Sequence, residues 1–113
     1  MSIVNYTNAN AGNANGYALA NWSGLTGGDT GQPFPFPNFA DKTVQVFGTI
    51  GAAITIQGSN DGTNWETLTD NFGGALIFNT HGLSLIAQAP LWVRPSCAAG
   101  TTNATVIILA NQS

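Results

Sequence analysis

The sequence predicts an all-β fold: a single antiparallel β-sandwich or jelly-roll-like domain over residues 41–113, preceded by an irregular, extended arm over residues 1–40. Three observations point there. From Thr43 onward, apolar and polar residues alternate with a period of two, the spacing of a half-buried strand. The alternating runs are short and are separated by Gly, Asn and Pro, as in strands joined by tight turns. No segment shows a sustained helical stripe.

The first 40 residues open on an Asn/Ala/Gly tract, pass through Tyr17, Leu19 and Trp22, and reach TGGDTGQPFPFPNFADK. Glycine and proline there interrupt any helix or central strand. The alternation Pro33-Phe34-Pro35-Phe36-Pro37 favours an extended, polyproline-like path. Its phenylalanines then have no ladder to sit in and are too apolar for a free linker. Two fates are open to them. The segment packs along its own domain as an irregular edge, or it docks on a neighbouring subunit. In the second case Phe34, Phe36 and Phe39 are the anchors, and Pro33, Pro35 and Pro37 keep the arm straight and lower its ordering cost.

Seven strands follow in order: TVQVFGT, AITIQG, ETLTD, ALIFN, LSLIAQA, LWVRPS and ATVIILA. β-branched and aromatic residues dominate them, as suits a pleated, half-buried surface. Alternation assigns Val44, Val46, Ile54, Ile56, Leu68, Leu76, Phe78, Leu83, Leu85, Val93, Val106 and Ile108 to the interior. The run VIIL is apolar on both faces, which suits a central strand or one covered by a neighbour.

Composition narrows the function classes. The 113 residues suit one domain. Charged residues are only 6% of the chain, against about 25% in a typical domain, and the formal net charge is −3. Lys42 and Arg94 are the only cations, so no basic stripe exists and direct nucleic-acid binding is not expected. No run approaches the roughly 18 apolar residues of a membrane helix, and the N-terminal stretch has neither the basic nor the apolar region of a secretory signal. The single cysteine, Cys97, excludes an intrachain disulfide and reads as a small buried hydrophobe.

Few residues suggest chemistry. ITIQGSNDGTNWETLTD, from Ile54 to Asp70, reads as strand, polar turn, tryptophan and second strand. Asp61-Gly62 is a turn signal, because glycine accepts positive φ and Asn or Asp bonds back to the local backbone. Asn60, Asp61 and Trp65 also form an alternative ligand set, for a sugar. The cluster lacks the ordered spacing and bidentate glutamate of a calcium loop. His81, the sole histidine, sits in a turn, and one His with one Cys makes no zinc site. No nucleophile elbow is present. The expectation is therefore a non-enzymatic protein with no catalytic residues, no metal and no cofactor. Trp92 and Arg94 share a strand face, where the arginine either stacks on an aromatic and pairs with a carboxylate or anchors an interface.

Taken in order, GDTGQPFPFPNFADKTVQVFGTIGAAITIQGSNDGTNWETLTD and LWVRPSCAAGTTNATVIILA resemble a family of small tailed-bacteriophage proteins that decorate, or cement, the capsid. The resemblance covers about residues 27 to 110. It rests on Gly28-Asp29-Thr30-Gly31, Phe39-Ala40-Asp41-Lys42, Gly48-Thr49-Ile50-Gly51, the Gly58–Gly62 turn with Trp65, and Val93-Arg94-Pro95. It implies a β-sandwich or jelly roll on the outer surface of the virion capsid, made in the host cytoplasm. Its partners would be the major capsid protein and itself, as a dimer or trimer, and it would bridge capsomers. The resemblance carries over no site residues; by their own chemistry Pro33, Phe34, Pro35, Phe36, Pro37, Phe39, Trp92 and Arg94 are the expected contact residues. The Gly-Ser-Asn-Asp-Gly turn with its tryptophan also resembles discoidin-type carbohydrate-binding sandwiches, which implies a sugar-binding module on a virion or secreted scaffold as the alternative.

Overall fold

The computed structural model describes residues 3–8, 17–35, 41–88, 90–100 and 102–111. Within them lie β1 (Ile3–Val4), β2 (Thr7–Asn8), β3 (Tyr17–Thr26), β4 (Thr30–Gly31), β5 (Phe34–Pro35) and β6 (Asp41–Ile50). Then come β7 (Ile54–Ser59), β8 (Glu66–Thr67), β9 (Ile77–Phe78), β10 (Gly82–Ile86), β11 (Trp92–Cys97) and β12 (Thr102–Asn111). One sheet has the order β10-β6-β12-β3-β2. The other runs β1-β4-β11-β7-β8, with β5 also on β11 and β9 also on β7. Beyond β3, most successive long strands switch sheets, so the two layers are wound together.

Alternation builds the core between the layers. On β6, Val44 and Val46 point inward while Thr43, Gln45 and Phe47 point out. On β12, Ala104, Val106, Ile108 and Ala110 point inward, against Ile54 and Ile56 of β7 and Val93 and Cys97 of β11. Leu68, Leu76 and Ile86 belong to the same core. All seven expected strands are present within a few residues of their expected limits, although ETLTD and ALIFN narrow to two-residue strands joined by a bridge between Thr69 and Ala75.

The N-terminal region differs from the expectation of an irregular arm. β3 pairs with β12 along its length, and β4 and β5 pair with β11. Trp22 and Leu25, both fully buried, sit in the core although they are three residues apart. A bulge reconciles this with the ladder. Ala104 faces Leu25 and Val106 faces Trp22, so β3 carries one extra residue at this point. Gly24, at φ +75°, supplies the left-handed conformation within it. Trp22 Nε1 donates to the Gln32 carbonyl at 3.0 Å, and Tyr6 meets both Trp22 and Phe34 edge-on at 5.9 and 4.5 Å. A boundary at residue 40 therefore does not separate an arm from the sandwich.

Leu83 and Leu85 also depart from expectation. Alternation assigns them inward, but they are 70% and 48% exposed. Register decides their direction: Leu83 pairs with Gln45 and Leu85 with Thr43, the outward residues of β6, while Ser84 pairs with Val44. Phe78, expected inside, is half-buried and packs against the core's edge, its ring lying over Gly82.

Candidate functional site

The turn between β7 and β8 is held by its own side chains. Asp61 Oδ1 accepts from the backbone N–H of Asn64 at 2.8 Å and of Thr63 at 2.9 Å, and from the Ser59 hydroxyl at 2.8 Å. Its Oδ2 accepts from Asn64 Nδ2 at 2.7 Å. Those donors, the Asn64 and Thr63 N–H groups foremost, hold the Asp61 carboxyl well below the usual carboxylate range. The turn thus stays charged and closed at neutral pH. Asn60 Oδ1 accepts from the Leu91 N–H at 2.9 Å, tying the turn to the segment before β11.

A sign follows for stability. A carboxylate whose folded pKa is depressed stabilises the fold above its unfolded pKa, near 4, and that contribution is lost as pH falls toward the folded value. Asp61→Asn is expected to be less stable than the parent at pH 7. The gap should narrow below about pH 4, as measured by urea denaturation across a pH series.

Beside this turn lies an open depression of about 560 Å³, edged by Asn60, Asp61, Asn64, Glu66, Gln88 and Pro90. Much of its polar rim is already occupied. Asp61 and Asn60 are bonded as above, and Gln88 both accepts from Thr69 N–H at 2.8 Å and donates to Thr69 Oγ1 at 2.6 Å. Trp65 is not part of it. The three residues of the alternative ligand set are therefore divided: Asn60 and Asp61 border the depression, and Trp65 turns to Arg94.

The Arg94 contact organises the outer face of the seven-stranded sheet. The guanidinium carbon lies 4.1 Å from the Trp65 ring centroid, and Nε donates to Gln57 Oε1 at 2.9 Å. Stacking on an aromatic is as expected, but the hydrogen-bond partner is an amide and not a carboxylate. Gln57 faces Arg94 across β7 and β11, and Pro35 faces Trp92 across β5 and β11. Because residues opposite one another share a face, Pro35, Trp92, Arg94, Gln57 and Trp65 form one half-buried patch. Lys42 is buried, which leaves Arg94 as the basic side chain at the surface.

The other expected contact residues scatter. Phe34 is buried, 6% exposed, so it is a core residue and no docking anchor. Pro33 is half-buried beside it. Phe36, Pro37 and Phe39 lie outside the described residues. His81 is exposed and Cys97 buried. Among the described residues no three His, Cys, Asp or Glu side chains gather as metal ligands would. Two exposed apolar features escaped the sequence reading. Phe72, 91% exposed, tips a loop whose Phe72 and Gly74 N–H groups both donate to Asp70 Oδ1. The other is the outer face of the five-stranded sheet, which the pairing of Leu83 with Gln45 reveals.

No protein-family profile matches this sequence, and no curated protein matches it by sequence. Solved structures match its shape. The SPBc2 prophage-derived protein YomS superposes with a TM-score of 0.66 at 16% identity, over 83% of this chain and 93% of that one. A cupin domain from Bordetella pertussis Tohama I superposes with a TM-score of 0.52 at 8% identity, over 100% and 98%. The fold is a cupin-like jelly roll. Peruvianin-I, a cysteine peptidase from Thevetia peruviana latex, also matches it, with a TM-score of 0.55 at 20% identity over 96% of this chain and 61% of that one. One jelly roll thus underlies a prophage protein, a cupin domain and a peptidase, so function must be argued from surfaces and not from the fold.

Proposed function

We propose that this jelly roll is a bacteriophage capsid decoration protein, which binds the outer surface of the major capsid protein shell and bridges capsomers without catalysing a reaction. The observation that carries the reading is the Trp92–Arg94–Trp65 patch. Tryptophan and arginine are the residues most often found at the energetic centre of protein interfaces, and here the arginine is pre-positioned by its ring and by Gln57. A pre-positioned side chain loses little freedom on binding. The likeness of fold to a prophage-derived protein, over nearly all of that protein's length, supports a phage origin. A charge content of 6% supports dense packing of copies, since repulsion between neighbours stays small. Many modest contacts on a symmetric shell then act together.

Co-sedimentation with empty shells of the same phage tests this. The parent chain is expected to pellet with shells, and Trp92→Ala combined with Arg94→Ala to weaken binding by about 100-fold or more, as loss of two central anchors does. Circular dichroism should be unchanged, because both side chains lie on the outer face. A parent chain that stays in the supernatant would refute the reading. Glycan-array binding that depends on Trp65 would favour a carbohydrate module instead.

A further inference from the structure

We infer that the outer face of the five-stranded sheet is a two-fold interface with a second copy of this chain. The inference deepens the decoration reading by naming the surface through which copies pair. It is tested without any shell, so either can fail alone.

The face carries six large apolar side chains among Thr43, Gln45, Thr49 and Thr105, where a solvent-facing sheet should be polar. Leu83, Leu85 and Phe47 are 70%, 48% and 42% exposed, and Leu19, Ile107 and Leu109 lie half-buried among them. Their shared direction follows from register: Leu19 faces Leu109, and Ile107 faces Gln45, which faces Leu83. Monomeric proteins seldom leave a contiguous apolar patch of more than a few hundred Å² in water.

Three properties point to a second copy as the occupant. The first is charge. Among the described side chains, none that faces outward on β3, β6, β10 or β12 is ionisable, so over that stretch two such faces meet without like-charge repulsion. The charged contact residue, Arg94, belongs to the other sheet. The second is area. β3, β6 and β12 are each 10 residues long and β10 has 5. At ordinary strand spacing and rise the face covers about 550 Å² in plan. With side-chain relief, two faces together reach about 1,200 Å², the lower bound for a stable specific interface. The third is shape. A hollow of about 290 Å³ between Leu19, Thr43, Gln45, Leu83, Ile107 and Leu109 dents the face, and Phe47 and Leu85 stand beside it. A surface with both knobs and a hollow can complement itself under two-fold rotation. Each residue then acts twice per dimer.

The experiment is sedimentation equilibrium over a concentration series, on the full chain without shells. The parent is expected to be a dimer. Leu83→Lys, at a position open to water in the single chain, should fold normally and weaken dimerisation by about 100-fold, because two ammonium groups would be buried without partners. Phe72→Ser, off this face, should leave dimerisation unchanged. A parent that is monomeric at every concentration overturns the inference, as does a trimer or a dimer that Leu83→Lys leaves intact. If Leu83→Lys instead abolishes shell binding by a monomeric parent, the face belongs to the shell and the inference is likewise overturned.

Discussion

Trp22→Ala is expected to destabilise the domain by about 4 kcal/mol, in the range measured for removing a buried aromatic side chain from a packed core. Trp22 is fully buried. Its loss leaves a void between the layers, breaks the 3.0 Å bond to the Gln32 carbonyl and removes one of the two rings that Tyr6 meets edge-on. The unpaired carbonyl adds to the cost. The urea midpoint should fall with the slope unchanged. A domain of ordinary stability holds only about 5–15 kcal/mol in reserve. A chain lacking residues 1–40 goes further, since it loses Trp22, Leu25 and Phe34 together with the strand that covers one edge of β12. It is expected to be unfolded or insoluble. A well-dispersed amide NMR spectrum from that truncated chain would contradict this account of the N-terminal strands.

Gly27→Ala is expected to cost about 3 kcal/mol, the upper part of the usual range for forcing atoms into a packed site. A methyl group at Gly27 would meet backbone and not a movable side chain: it falls 2.6 Å from the Gly100 nitrogen and nearer still to the Gly100 carbonyl oxygen. The loops there are laced together. Gly28 N–H donates to the Cys97 carbonyl at 3.1 Å, and Cys97 N–H donates to the Asp29 carbonyl at 2.8 Å. Asp29 in turn accepts from the Thr26 N–H and hydroxyl at 3.0 and 2.7 Å. Relief of the clash has to separate the β3–β4 turn from the β11–β12 turn. Thermal denaturation should show the loss. Gly73→Ala is a useful comparison, because Gly73 has a positive φ, which Gly27 does not, but open space around it, and should cost less.

The sandwich from β6 to β12 was legible in the sequence because its strands alternate cleanly. β3 was not, because its bulge replaces the spacing of two by a spacing of three between Trp22 and Leu25. A period-two reading sees no face there. Leu83 and Leu85 alternate perfectly and still face outward. Alternation says which residues share a face but not which face is inside, and only pairing with Gln45 and Thr43 supplies that. The site was legible in pieces. Trp92 and Arg94 sharing a face follows from their spacing, and the Asp61 turn from its residue types. That Trp65 would leave the turn to cover Arg94 depends on β7 lying between β8 and β11, a matter of strand order that no local pattern encodes.

The position of β12 bears on how the chain is made. It is hydrogen-bonded on one side to β6 and on the other to β3, whose residues precede their partners on β12 by 77 to 94 positions. Neither neighbour can close its own edge until β12 has been synthesised and has cleared the ribosome. Loops this long are slow to shut, and sheets of such connectivity commonly form in about milliseconds to seconds. Until then β6 and β3 each keep one edge open, the sides not covered by β10 and β2.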